Sequence, residues 1–289
     1  MTVLVTGATG SVGSAVVAEL RRRDVPLRVF VRDARKAETL LGGDVELSVG
    51  DFGDRGSIEV ALKDAEFLFL ACANDPRQVE YETNVIDAAV GAGVDQVVKL
   101  SALGAEIGSR LDFWDWQGRI EQHLQESRLS ATILRPHNYM SGLFAAAGSI
   151  QGAGKIFGSA ADAKIPMIDP RDVAAVAAVA LTKQGHEGKT YTLTGAEALT
   201  FQEVARNLSE VTGREIEYVD LPDEAALEGL LGAGVPDWLA ANLITLFQIM
   251  REDTDPRITD DVREVTEREP RRLRDFLKDH KVVFGAVEG

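Results

Sequence analysis

Cysteine is nearly absent: Cys72 stands alone, so no disulfide can form within the chain. That fits a reducing, cytoplasmic setting. Cys72 follows the apolar run Phe67 to Ala71, where a free thiol reads as a small buried hydrophobe or, less simply, as a nucleophile or redox thiol. Histidine is scarce too. His123, His137, His186 and His280 show no metal-ligand spacing with one another or with Cys72, so no structural metal is expected. No apolar run reaches about 18 residues, and no membrane span is expected. The opening MTVLVTGATG lacks the basic segment and long apolar core of a secretory signal and reads instead as a strand and its turn. Basic residues are outnumbered, 31 Lys and Arg against 46 Asp and Glu, for a net charge of −15. That balance argues against a nucleic-acid partner, which would need basic surface. A small anionic ligand needs only a few local donors and is not excluded.

What is present is ordinary globular composition, 45% hydrophobic over 289 residues, enough for one large domain with an annex. The first half alternates short apolar runs with helical patterns. Strands are expected over 2–6, 27–31, 45–49, 67–71, 96–100 and 130–134. Helices are expected over 11–23, 34–41, 57–63, 79–92 and 112–127. The strands are apolar without alternation, as in a parallel sheet covered on both faces. The rhythm predicts an α/β fold, a doubly wound parallel sheet of the Rossmann type. After Arg135 the rhythm changes. Residues 142–158, rich in Gly, Ala and Ser, read as a loop or a mobile helix. Asp169-Pro170-Arg171-Asp172 opens a helix over 173–181, a strand follows over 189–193, and Thr200-Phe201-Gln202-Glu203 has the capping-box form for a helix ending at Gly213. The remainder reads as mostly helical. The expected division is 1–153 with 166–195 returning to it, and 154–165 with 196–289 as a smaller, mostly helical substrate subdomain. Glu252, Asp253 and Asp255, and the charged tail 267–274, read as solvated surface.

The most informative stretch is Thr6-Gly7-Ala8-Thr9-Gly10-Ser11-Val12-Gly13, with glycines at 7, 10 and 13 between a strand and a helix. Such a turn lets the backbone approach a pyrophosphate, which then rests on free N–H groups at the helix start. At the end of the second strand stand Arg32 and Asp33, with Arg35 and Lys36 nearby. An acidic residue there would take the 2′-hydroxyl of NAD, and an arginine the 2′-phosphate of NADP. Arg32 occupies that position, so NADP(H) is expected over NAD(H).

With these residues in hand, the chain resembles the NmrA-like atypical short-chain dehydrogenase/reductases, close to bacterial quinone, azo-dye and triphenylmethane reductases. The resemblance runs nearly the whole length. It includes Gly50-Asp51-Phe52, Leu134-Arg135-Pro136 with Asn138-Tyr139-Met140, Ile165 to Asp169 leading into Asp172-Val173-Ala174, Tyr191 to Gly195 with Leu199-Thr200, and Arg271 to His280. It implies that Gly7, Thr9, Gly10, Ser11, Val12 and Gly13 hold the pyrophosphate, that Asp51 and Phe52 flank adenine, and that Ala71, Cys72, Ala73, Ser101, Gln117, Pro136, His137 and Asn138 meet the rest of the cofactor. The pattern departs where short-chain dehydrogenases carry Tyr-x-x-x-Lys: the matching helix holds Phe113 and Gln117, and neither can do that pair's general acid–base work.

The resemblance makes Ser101 the counterpart of the family's serine, with Gln117 as its remaining catalytic companion. A turn serine reads as well at that position. Lys99 is tempting as a catalytic lysine, but strand alternation leaves its face open. Trp114 and Trp116 point in different directions, so one can line the substrate mouth while the other packs. Tyr139, Met140, Phe144 and Phe157 read either as an adaptable apolar pocket for substrate or as plain core. His137 is the histidine nearest the expected site, with a backbone role favoured over proton donation. The function expected is an NADPH-dependent reductase passing hydride to a small planar electron-poor acceptor. The alternatives are a non-catalytic NADP(H) sensor and a tailoring reductase of a natural-product pathway. Partners are expected to be small molecules, with a homodimer left open.

Overall fold

The computed structural model describes residues 1–254 and 256–286. Asp255 of the acidic cluster and the last three residues of the expected 196–289 segment lie outside them. The chain runs β1 (Val3–Val5), α1 (Ser11–Arg21), β2 (Leu27–Val31), α2 (Ala34–Leu41), β3 (Glu46–Val49), α3 (Arg55–Leu62), β4 (Phe67–Leu70), α4 (Gln78–Ala92), β5 (Gln96–Leu100), α5 (Asp112–Glu126) and β6 (Ala131–Pro136). It continues through a 3-10 turn (Met140–Ala146), α6 (Ala147–Ala153), β7 (Lys155–Gly158), α7 (Pro170–Thr182), β8 (Thr190–Leu193), α8 (Phe201–Thr212) and β9 (Glu217–Asp220). It closes with α9 (Asp223–Gly232), α10 (Asp237–Glu252), α11 (Asp261–Thr266) and α12 (Leu273–Asp279). Seven strands form one sheet in the order β3-β2-β1-β4-β5-β6-β8, every pair parallel. The expected doubly wound Rossmann sheet is what forms. The order reverses between β1 and β4, and the crevice beyond the carboxyl ends of these strands is where such a fold takes its ligand.

Both faces of the central strands are covered, which is why β1 and β4 are apolar throughout, whereas the edge strands β3 and β8 are partly exposed and carry Glu46, Ser48, Thr190 and Thr192. On one face Val3, Val5, Val29, Val31, Phe69 and Val98 pack with α1 and α7. On the other, Leu4, Phe30, Leu68, Leu70 and Val97 pack with α3, α4 and α5. Helix α7 begins with Pro170 at its first turn, capped by Asp169, whose side chain accepts from Arg171 N at 2.8 Å. Its residues Val173 to Leu181 are buried, and their small side chains let it lie close to α1. The carboxylate of Asp172, 3% exposed, accepts from the backbone N–H of Arg271 at 2.7 Å and pairs with that residue's guanidinium. Helix α8 carries the capping box: Glu203 N donates to Thr200 Oγ1 at 3.2 Å and Thr200 N to Glu203 Oε2 at 2.9 Å.

One expectation needs correction. Residues 142–158 are neither a loop nor a single helix: the 3-10 turn and α6 lead into β7, which pairs in parallel with β9 as a second, two-stranded sheet. Residues from this region pack with α8 and α12 into a third apolar cluster that includes Met140, Leu143, Ile156, Leu208 and Phe276.

Candidate cofactor and substrate site

A groove of about 520 Å3 runs across the carboxyl ends of the strands. Its floor is the Gly7–Gly13 turn, where chain geometry leaves no choice of residue. Gly7 has φ +62, and a Cβ there would come within 2.9 Å of the Ala71 carbonyl oxygen. A Cβ at Gly13 would run into the carbonyl of Gly7. Gly10 caps α1 without any side-chain hydrogen bond, so the first-turn N–H groups are left for a ligand. Thr6, buried behind the turn, accepts from Ala71 N at 2.8 Å and donates to Ala71 O at 2.9 Å, which fixes the Ala71–Ala73 segment on the groove wall. At one end Asp51 and Phe52 line the groove with Phe30 and Tyr81; the Phe30 and Phe52 rings stack with centroids 5.6 Å apart. Asp51 Oδ1 accepts from Gly53 N at 2.8 Å and so shapes its own turn. Arg32 and Lys36 line the same end. Asp33 caps α2, accepting from Lys36 N at 3.1 Å.

A second cavity of about 290 Å3 adjoins the groove, and Cys72, Asn74, Leu100 and Tyr139 form walls of both. Ser101, Trp114, Gln117, Pro136, His137 and Asn138 line it. Helix α5 presents Phe113, Gln117 and Glu121 one turn apart along one face, all buried. Ser101 Oγ donates to Glu121 Oε1, and Arg135 holds that carboxylate with bonds of 3.0 and 2.5 Å. Beneath Gln117 stands Lys99, fully buried. Its ammonium donates to Gln117 Oε1 at 2.7 Å and to the Leu100 carbonyl, and lies 3.0 Å from the fully buried Glu82. Glu82 in turn accepts from Gln78 Nε2 at 2.9 Å. A buried cation thus lies behind Gln117, supplied by β5, although Lys99 itself lines neither cavity.

Burial sets the protonation of the cavity walls. It pushes the Cys72 thiol up to about 12, helped by Glu82, so the thiol keeps its proton near neutrality and is a poor nucleophile. It raises the Tyr139 phenol above its ordinary range. It lowers the His137 imidazole to about 4, and the ring is neutral at pH 7.

Met140, Phe144 and Phe157 do not line either cavity. The 3-10 turn swings Met140 into the third cluster, where it is 1% exposed, and Phe144 stacks on Phe276 at 5.5 Å. Phe157, on β7, is 48% exposed. Trp116 packs against Phe113 and Trp238. The residues that complete the cavity, and that sequence reasoning missed, come from far along the chain: Lys164 and Ile165, and Leu246, Ile249, Met250 and Asp253 at the end of α10. Asp253, read as solvated surface, is exposed and also stands at the rim of the cavity. The spacing of Leu246, Ile249, Met250 and Asp253 on one helical face was the available signal. Lys99 also gave one: a lysine inside Val97-Val98-Lys99-Leu100 must be paired if the strand is buried on both faces.

The parallel sheet with its reversal point, the glycine-built uncapped helix start and the groove across the strand ends define a Rossmann-type dinucleotide-binding protein. The chain belongs to the NmrA-like family, whose pattern matches residues 1–277. It is 36% identical to an NAD(P)H azoreductase of Xenophilus azovorans over 99% of this chain and 100% of the relative. It is likewise 36% identical to a (4-alkanoyl-5-oxo-2,5-dihydrofuran-3-yl)methyl phosphate reductase of Streptomyces griseus, over 98% of this chain and 99% of the relative. Among solved structures, an NADPH-dependent quinone oxidoreductase from Escherichia coli complexed with NADPH superposes with a TM-score of 0.87 at 28% identity, covering 97% of this chain and 100% of that one. Among the described residues no helix is long and apolar enough to cross a membrane.

Proposed function

We propose that the protein is an NADPH-dependent reductase that passes hydride to a small, planar, electron-poor acceptor such as a quinone or a dye. Its coarser identity, an NAD(P)H-dependent oxidoreductase, follows from the family and from relatives named as reductases over nearly the full chain. The observation that carries the finer reading is the continuity of the two cavities: a dinucleotide lying along the groove ends where Cys72, Leu100 and Tyr139 open into the second cavity, whose walls mix apolar and polar side chains. In this reading residues 1–153 and 166–195 hold the cofactor, and the rest closes over the acceptor.

The groove fits the cofactor's chemistry. The first-turn N–H groups of α1 would hold pyrophosphate, and Phe52 with its ring neighbours would meet adenine. The preference for NADP(H) rests on Arg32 and Lys36. Arg32 makes no ion pair among the described residues, whereas the neighbouring carboxylate of Asp33 is spent as a helix cap. When bound, the reduced nicotinamide supplies hydride. The protein's own part is to orient the two reactants and exclude water, and solvent supplies the proton afterwards.

The test is cofactor consumption against a panel of quinones, azo dyes, imines and enones, with NADPH and NADH in parallel. NADPH is expected to be preferred, and Arg32→Ala to raise its KM about tenfold, equivalent to about 1.4 kcal/mol, with little change for NADH. A protein that binds NADPH yet turns over nothing in the panel would favour the sensor, or a tailoring reductase whose substrate lies outside the panel.

A further inference from the structure

The polar groups that Ser101, Gln117 and His137 offer to the second cavity are decided from behind its walls. An ammonium has only donors, so the Gln117 atom 2.7 Å from Lys99 Nζ must be the carbonyl oxygen. The amide NH2 is therefore turned away from Lys99, and it donates to no group among the described residues. His137 behaves similarly. Its Nδ1 accepts the Asn138 backbone N–H at 2.8 Å, so the neutral ring carries its one proton on Nε2. Ser101 gives its proton to Glu121, which Arg135 already clamps, and has only lone pairs left. The cavity thus contains two neutral donors whose accepting atoms are already used.

We propose, resting on the reductase reading above, that Gln117 Nε2–H and His137 Nε2–H hold the oxygen of a carbonyl-conjugated acceptor, with Lys99 as the positioning residue that aims Gln117. Hydride addition forms a C–H bond on the conjugated carbon and breaks the adjacent π bond. The displaced electron pair moves onto the carbonyl oxygen, the nicotinamide is oxidised, and water later protonates the product. Donors placed where that negative charge develops lower the barrier, and neither needs to surrender its proton. A cationic acceptor whose reacting carbon carries no conjugated oxygen gains nothing from them, because hydride addition removes charge there.

The experiment compares two acceptors with the full-length protein and NADPH: a 1,4-naphthoquinone and a triphenylmethane dye cation. Gln117→Glu keeps an oxygen for Lys99 but removes the donor. The ratio of quinone to dye kcat/KM is expected to fall about 100-fold, with NADPH still binding. His137→Phe is expected to lower the ratio about tenfold, and His137→Gln, which restores a donor, to recover most of it. The paired change Lys99→Met with Glu82→Leu, which leaves no buried charge unmatched, is expected to lower the ratio about tenfold by releasing the amide. Ratios within about threefold of the parent in all variants would overturn the proposal and leave the reductase reading intact, as would a parent that reduces the dye but not the quinone. A parent that binds NADPH and reduces neither overturns this proposal, and the reductase reading falls with it only if the azo dyes, imines and enones fail as well.

Discussion

The two faces of the central sheet are built on different terms. Toward α1 and α7, the middle of β5 presents Val98 to a layer of valines and alanines. Toward α4 and α5 the same strand presents Val97 and then Lys99, a fully buried cation tied to Glu82 and Gln117. The first face holds the fold together by close approach of small side chains. The second spends some of that stability on a charged network directly behind the cavity. Buried ion pairs rarely improve on apolar packing, so the network is better explained by what it does to Gln117 than by stability.

The comparison can be broken by mutation. Glu82→Leu leaves the Lys99 ammonium buried without its counter-ion and should cost about 3–5 kcal/mol, read as a drop in urea midpoint at constant m. Adding Lys99→Met should recover most of that loss. A single change costing under about 1 kcal/mol would mean that the two faces are equivalent. His137, on the wall of the second cavity, should make the protein acid-sensitive. Its folded pKa of about 4 lies below the ordinary 6.5, so between those values the unfolded chain takes up a proton that the folded chain does not. Its contribution is fully present above about pH 6.5 and is lost as pH falls toward 4, by up to roughly 3 kcal/mol. Unfolding midpoints measured across that range should flatten in His137→Phe. On the opposite face Ala177→Leu should cost about 1–3 kcal/mol by overpacking and leave the quinone-to-dye ratio alone. The smallest effect is expected from Gln96→Leu, which removes bonds of 3.2 and 3.3 Å to Thr132 Oγ1 and the Ala180 carbonyl, at about 1 kcal/mol.

Local chemistry made most of the fold legible. The glycine turn, the Asp169-Pro170 helix start and the Thr200–Glu203 box each declare themselves within a few residues, and the apolar strands declare a covered sheet. What stayed hidden depends on partners distant in sequence. β7 and β9 are four residues each and find one another only across the whole of α7, β8 and α8. Met140 and Phe144 follow the cofactor-passing segment closely, so a reading by proximity assigned them to substrate. Their true neighbours, Phe276 and Phe284, come from the chain's end. The orientation of Lys99 was undecidable from β5 alone, because both faces of that strand are buried and alternation then carries no sign.

The bond between Asp172 and Arg271 also bears on how the protein is made. The two residues are separated by 99 positions, which at ordinary synthesis rates is about 5–20 s of translation. During that interval the carboxylate at the head of α7 has no Arg271 to pair with. The newborn chain therefore passes through a stage in which the glycine turn and the strands of the groove are already made, but α7 still lacks its tie to the later chain.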